Sequence, residues 1–392
     1  MFKCNRAPTG RAGKGAPPGR GVSPDPREWR GRVGLVAGLV ELETDWSGVP
    51  AGLARGFREL GFDVDYVDAT PWTTAGRVVH RWLRAIGKDR GDWMLRPEFV
   101  SLARMSGAVR RLRMDPGVTA WVHMGAPVIG RPLRHGRYVT FEDMTVAQLR
   151  QSGQWWRGGS DRHFRRSRRL QSAVYRHARA CCVASSWAKR SLMTDFGVPE
   201  EKIRVVGLGR HVTLPSPPTR DWSEPRFLFV GRAWVRKNGD GVVRAFSKLR
   251  EERPNARLDL VGKDPGVSAP GVHHHGELDA NDASDGALLQ SLYARATCFV
   301  MPSFTEPFAI AYLEAAGAGL PVIATTVGGI SDALGADGAL YVDPHNDEAI
   351  LDAMRQLSDP VAAEAMGAAG RHNSERFTWR NVAEQVLAAS QS

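Results

Sequence analysis

The feature that most constrains this chain is a rhythm that runs twice. Short, continuous apolar runs alternate with helical patterns: "RVGLVAGLV", then "GLARGFREL", then "DVDYVD", and later "VTAWVHMG", "RYVTFED", "ACCVASS" and "IRVVGLG". After the break "TLPSPPTRDWSEP" it restarts with "RFLFVG", then "GDGVVRAFSKLREE", which puts Val242, Val243, Phe246 and Leu249 on one helical face. "ARLDLVG", "ALLQSLYARA", "TCFVMPS", "LPVIATT" and "ALYVDP" continue it. Strands without polar alternation are buried on both faces, which requires parallel sheets with helices on either side. The expected fold class is therefore α/β, with two Rossmann-like, doubly wound parallel-sheet domains. They would meet at a cleft where ligands sit at the carboxyl ends of the strands. The expected divisions are a tail over 1–30, a first domain over 31–213, a second over 214–375 and a C-terminal helix over 376–392.

Charge narrows the partners. Among 392 residues, 53 Lys and Arg face 42 Asp and Glu, a formal charge of +11. A basic protein favours anionic partners such as phosphates, nucleic acid or a membrane surface. Part of the excess lies in the opening stretch, rich in Gly, Pro and Arg, which is too poor in apolar residues to fold. It has no run of signal-peptide type, and no stretch elsewhere approaches the roughly 20 apolar residues of a membrane span. Cys4, Cys181, Cys182 and Cys298 form neither a disulfide framework nor a metal-binding spacing, and adjacent Cys181 and Cys182 fit a buried strand. These signs suggest a reducing cytoplasm. "HHH" at His273 to His275 does not suggest a metal site, because successive strand residues point to opposite faces.

Two stretches carry chemistry. In "SFTEPFAIAYLEAAGAG", Pro307 suits the first position of a helix. A helix starting there leaves the N–H groups of about Phe308 to Ala311 unpaired, aimed outward with the positive end of the dipole. Glu306 precedes that start and Glu314 lies inside an otherwise apolar helix. A buried carboxylate there makes sense if it accepts hydrogen bonds from ligand hydroxyls; a cap at Glu306 and a solvated Glu314 fit the local pattern equally. In "FLFVGRAWVRKNGDG", a strand ends at Gly231, and Arg232, Arg236 and Lys237 follow in a loop. Such cations neutralise a diphosphate or form an ordinary solvated basic loop.

Together these residues resemble the retaining GT-B glycosyltransferases of family 4. The similar pieces are "VGRAWVRKNGDGVVRAF", "LDLVG", "HHHGEL", "LYARATCFVMPSFTEPFAIAYLEAAGAGLPVIATTVGGISDAL", "ALYVDP" and "RFTWRNVAEQVL", in order over about residues 183 to 388. The resemblance implies a nucleotide-sugar donor carrying UDP or GDP, retention of anomeric configuration, and no metal or other cofactor. It implies that Arg232 and Lys237 stabilise the leaving diphosphate, beside Gly231 and the amides of Phe308, Ala309, Ile310 and Ala311. Glu314 would hold the ribose, Glu306 the donor sugar, and backbone near His275 and Gly276 the nucleobase. Gly48, in "ETDWSGVPAG", would be the counterpart of a phosphate-approaching glycine, and His123 a candidate catalytic residue near the sugar. "RFTWRNVAEQVL" would cross back to the first domain.

The chain departs from the family in places. Ala309 stands where Gly is common, which fits if its φ stays negative. Asp332 and Glu142 replace a frequent Glu and His. The acceptor would be a sugar, a lipid or a small natural product, with no nucleic acid expected. The dense basic stretch "RGGSDRHFRRSRRLQSAVYRHARA" is a candidate contact for an anionic inner-membrane surface or a phosphorylated acceptor, or a solvated helix. Trp72, Trp82, Trp93, Trp155 and Trp156 are candidates to stack on an acceptor or fill the core. The alternatives are a phosphorylase or epimerase on the same fold, and a non-catalytic basic protein that binds nucleic acid or membrane.

Overall fold

The computed structural model describes residues 31–37, 45–68, 117–125, 138–153, 161–212, 220–280 and 282–392. The strands are β1 (Gly31–Ala37), β2 (Phe62–Asp68), β3 (Val118–Met124), β4 (Tyr138–Glu142), β5 (Ala180–Val183), β6 (Ile203–Val205), β7 (Arg226–Val230), β8 (Arg257–Val261), β9 (Val272–His274), β10 (Cys298–Val300), β11 (Val322–Thr325) and β12 (Ala339–Val342). The helices are α1 (Val49–Glu59), α2 (Val146–Gln151), α3 (Asp161–His177), α4 (Ser186–Phe196), α5 (Gly239–Glu252), α6 (Ala283–Arg295), α7 (Ile310–Gly317), α8 (Ser331–Leu334), α9 (Asp347–Gln356), α10 (Pro360–Ser374) and α11 (Trp379–Gln391).

Among the described residues the strands form two six-stranded sheets, ordered β2-β1-β3-β4-β5-β6 and β12-β11-β10-β7-β8-β9. Every pairing within them is parallel. The continuous apolar runs explain this: β4 and β5 are buried at every position, as parallel strands covered on both faces must be. Cys181 and Cys182 are buried on β5 and Cys298 on β10. Read from its far edge, the second sheet runs β9-β8-β7-β10-β11-β12, so chain direction switches between β7 and β10. The first sheet switches between β1 and β3. A switch point is where loops part and leave a crevice. The loops after β7 and β10 carry the Arg/Lys stretch and Glu306, and the turn before α1 carries Gly48.

α11 packs on α1 of the first sheet. Gly52 and Gly56 make room for it: a Cβ at Gly52 would strike the Trp379 ring, and one at Gly56 the Trp379 carbonyl. Arg380 donates to the Glu59 carbonyl at 2.6 Å. A second link joins the domains at α4, where the Ser186 N–H and hydroxyl both donate to Asp332, the hydroxyl at 2.7 Å. Asp332 thus caps a helix of the other domain, a role its neighbours in sequence do not reveal. The tail, Cys4 and the five tryptophans named above lie outside the described residues. Among the described residues no helix is long and apolar enough to cross a membrane.

Candidate functional site

A cavity of about 590 Å³ opens between the sheets, lined by both. One wall carries Gly231, Arg232, Arg236, Lys237, Glu306, Ala309, Ile310, Ala311 and Glu314; the other carries Ser47, Gly48, Arg55, Arg58 and Tyr66. Most of the residues read from the sequence as donor-binding meet here.

Glu306 is its most constrained group, 5 % exposed. Its Oε2 accepts from Lys237 Nζ, from Arg236 Nη1 at 3.0 Å and from Ser303 Oγ at 3.3 Å. Burial by itself raises a carboxyl's proton affinity, but Lys237 and Arg236 outweigh it, and the Glu306 pKa lies below its ordinary value. Burial pulls the Lys237 ammonium down, against the attraction of Glu306. Lys237 is only 8 % exposed, so the expectation of a solvated lysine is corrected: the loop folds inward because Glu306 offers it a counter-ion. Arg232 is exposed on the cavity rim. Arg236, a loop cation to which the family resemblance assigned no separate role, completes the buried cluster and also donates to the Thr305 carbonyl at 2.9 Å.

The helix after Glu306 starts later than its proline suggests. Glu306 pairs with Gly328 as an isolated parallel bridge, and the Gly329 N–H donates to the Pro307 carbonyl at 3.0 Å. Residues 306–307 are thereby held strand-like, and the helix begins at Ile310. Ile310 and Ala311 still open the helix, as α7, and line the cavity. Phe308 does not line it; its side chain is buried in the core, 5.8 Å from the Phe377 ring. Ala309 has φ +52°, against the expectation of a negative φ. It is an alanine in a backbone conformation that favours glycine, at the junction between the bridge and the helix.

Glu314 is buried too, at 9 % exposure, which excludes a solvated side chain. Its partners are neutral: Tyr293 Oη donates at 3.0 Å and the Val212 N–H at 3.2 Å. Here burial outweighs the hydrogen bonds, and the pKa is raised.

Other expected residues lie elsewhere. His123 is fully buried on β3, stacked on Tyr138 with ring centroids 4.1 Å apart, and is absent from the cavity wall. The alternation of β3 is the reason: Val122 and Met124 join the main core, and His123 faces the opposite side. Burial pushes its pKa down to about 3. His275 and Gly276 also stop short of the wall; His275 Nε2 lies 2.6 Å from Asp259 Oδ1, and the following Glu277, Leu278 and Asp279 line the cavity. Gly48 does line it, with φ +74°, after two further left-handed residues, Trp46 and Ser47. Trp46 Nε1 anchors this turn by donating to Asp143 Oδ2 at 2.8 Å. Burial raises the Asp143 carboxyl to about 6, with Glu306 adding to the rise. Arg55, Arg58, Tyr66 and His211 on the first-domain side were not read from sequence. The spacing of Ala51, Arg55 and Arg58 along one helical face was the available signal.

Comparison with known proteins agrees with this geometry. The family described as Glycosyl transferases group 1 matches residues 224–359. An MMP alpha-(1->4)-mannosyltransferase from Mycolicibacterium hassiacum is 29 % identical over 285 residues, covering 70 % of this chain and 67 % of that protein. A D-inositol 3-phosphate glycosyltransferase from Kribbella flavida is 30 % identical over 224 residues, covering 50 % of this chain and 53 % of that protein, so the match spans about half its length. Sucrose-phosphate synthase from Thermosynechococcus elongatus superposes with a TM-score of 0.66 at 20 % identity, covering 90 % of this chain and 96 % of that one. Two Rossmann-like domains facing across such a cleft define the GT-B fold. The likeness to the glycosyl transferases group 1 family lies in the C-terminal domain, over residues 224–359.

Proposed function

We propose that the protein is a retaining glycosyltransferase that moves a sugar from a nucleotide-sugar donor to an acceptor hydroxyl without a metal ion. The observation that carries this reading is the buried cluster of Glu306, Lys237 and Arg236 at the open start of α7. Its formal charges sum to +1, and exposed Arg232 brings the total to +2, which suits the doubly ionised diphosphate of a nucleotide-sugar. Negative charge grows on the leaving diphosphate as the sugar bond breaks. Cations and amides already in place stabilise that charge more in the transition state than before it, and supply what a divalent ion would otherwise supply.

In this reading Ile310 and Ala311 donate to the phosphates, Glu314 accepts from the ribose hydroxyls, and Glu306 accepts from the donor sugar. Lys237 and Arg236 keep Glu306 ionised for that task. Attack occurs on the face from which the diphosphate departs, with a leaving phosphate oxygen taking the acceptor proton. The glycosyltransferase names of the relatives support the reaction class. Incubation with a panel of nucleotide-sugars, followed by NMR of the product anomer, tests it. Transfer or hydrolysis with retention, undiminished by EDTA, is expected; inversion, or activity that EDTA abolishes and Mg²⁺ restores, would overturn the mechanism.

A further inference from the structure

We infer that the far end of the cavity is built for guanine, so that the donor is a guanosine diphosphate sugar. The inference rests on the reading above that the cavity takes a nucleoside diphosphate, and it adds the identity of the base.

Hydrogen bonds around Glu314 fix which residues flank it. Tyr293, which donates to Glu314, stands on α6, and Leu289 and Gln290 lie one turn before it on the same helix and line the cavity. On the opposite side the Val212 N–H donates to Glu314, and the preceding His211 places Nδ1 3.1 Å from Arg55 Nη2. Arg58 follows one turn along α1, its guanidinium 5.9 Å from the Tyr66 ring centroid. The loop after β9 adds Glu277, Leu278 and Asp279. A base carried by a ribose at Glu314 would therefore meet apolar surface from Leu278 and Leu289. It would also meet carboxylates on the second-domain wall and guanidinium groups on the first.

Guanine is the common base whose edges answer both kinds of group. N1–H and the N2 amine are adjacent donors, which match the two oxygens of a carboxylate. O6 and N7 are adjacent acceptors, which a guanidinium fork reaches together. Uracil presents a single N–H between two carbonyls, so a carboxylate aimed at that N–H also faces a carbonyl oxygen. Adenine sets its amine beside an acceptor nitrogen, a pair that suits an amide better than a carboxylate.

Calorimetry on the full chain with GDP, IDP, UDP and ADP, under one buffer and salt condition, tests the inference. GDP should bind at least about tenfold more tightly than UDP or ADP, the scale of one good paired contact to a base edge. IDP lacks the N2 amine and should fall several-fold below GDP. Asp279→Asn or Glu277→Gln should bring GDP down to the level of IDP while leaving UDP unchanged; both side chains are exposed, so the fold should survive. UDP or ADP binding as tightly as GDP, IDP matching GDP, or neither substitution changing the GDP-to-IDP ratio would overturn the guanine inference alone. Binding of none of the four would overturn the nucleotide reading of the cavity along with it.

Discussion

Glu306 and Glu314 flank the start of one short helix, nearly equally buried, yet their carboxyls shift in opposite directions. Burial pushes both upward. Around Glu306 two cations reverse the effect; around Glu314 a phenol and an amide do not. The Glu306 region is a closed electrostatic unit before any ligand arrives. The Glu314 region carries a carboxylate that neutral partners leave under-compensated, and ligand hydroxyls would add the missing donors. Burial alone thus says little about a carboxylate's role, whereas the charge of its partners says a great deal.

The largest expected effect comes from opening the closed unit. Lys237→Ala should cost about 3 kcal/mol of stability, the lower end for breaking a buried ion pair, because Arg236 still holds Glu306. Turnover should fall about 10²–10³-fold. An unchanged denaturant midpoint would mean that the lysine is solvated after all. Arg232→Ala separates the two effects: the side chain is exposed, so stability should stay within about 0.5 kcal/mol while turnover falls on the same 10²–10³-fold scale. Near-normal turnover would remove Arg232 from the mechanism.

The two glutamates can then be set against each other. Glu306 has a lowered pKa, so its stabilising contribution is complete above the ordinary carboxyl range and is lost as pH falls through the folded value. Glu314 has a raised pKa; its protonated form is favoured in the fold, and that advantage disappears as pH rises from the ordinary value through the folded one. At neutral pH, Glu306→Gln should therefore destabilise, by roughly 1–3 kcal/mol, and Glu314→Gln should be neutral or stabilising. Binding of the free nucleoside diphosphate should show the reverse. Glu314→Gln should lose roughly 1.5–3 kcal/mol and Glu306→Gln almost nothing, while turnover falls. Stability curves against pH and calorimetry on both variants check this, and equal losses of affinity would end the division of labour.

The smallest effect lies at the junction before α7. An alanine in the left-handed region costs about 1–2 kcal/mol, and glycine's extra freedom in the unfolded chain returns about 0.4–1 kcal/mol of that. Ala309→Gly should raise stability by up to about 1.6 kcal/mol and move the thermal midpoint upward. A lower midpoint would show that the methyl group contributes packing worth more than the strain.

How much of this was legible in the sequence follows from the range of each signal. Continuous apolar runs report a strand's two neighbours, so the parallel sheets could be read directly. Cations after one strand and carboxylates around a helix start are local in sequence, so they too could be read. Lys237 turning inward could not, because its reason is Glu306, 69 residues away. The late start of α7 depends on the pairing of Glu306 with Gly328, and the position of His123 on the phase of β3. Asp332 looked like a minor departure from family pattern until its partner, Ser186, came into view from the other domain. These are contacts set by tertiary structure, and no local pattern encodes them.

The seat of α11 on α1 bears on how the protein comes into being at the ribosome. Arg380 and the Glu59 carbonyl it meets are 321 residues apart in sequence. The glycine-lined face of α1 is synthesised early, but Trp379, which fills it, emerges only after the whole second domain. The second domain has its six strands in hand before that point, whereas the first must wait with an apolar face uncovered. During synthesis the second domain can therefore finish folding before the first, although the first is made earlier.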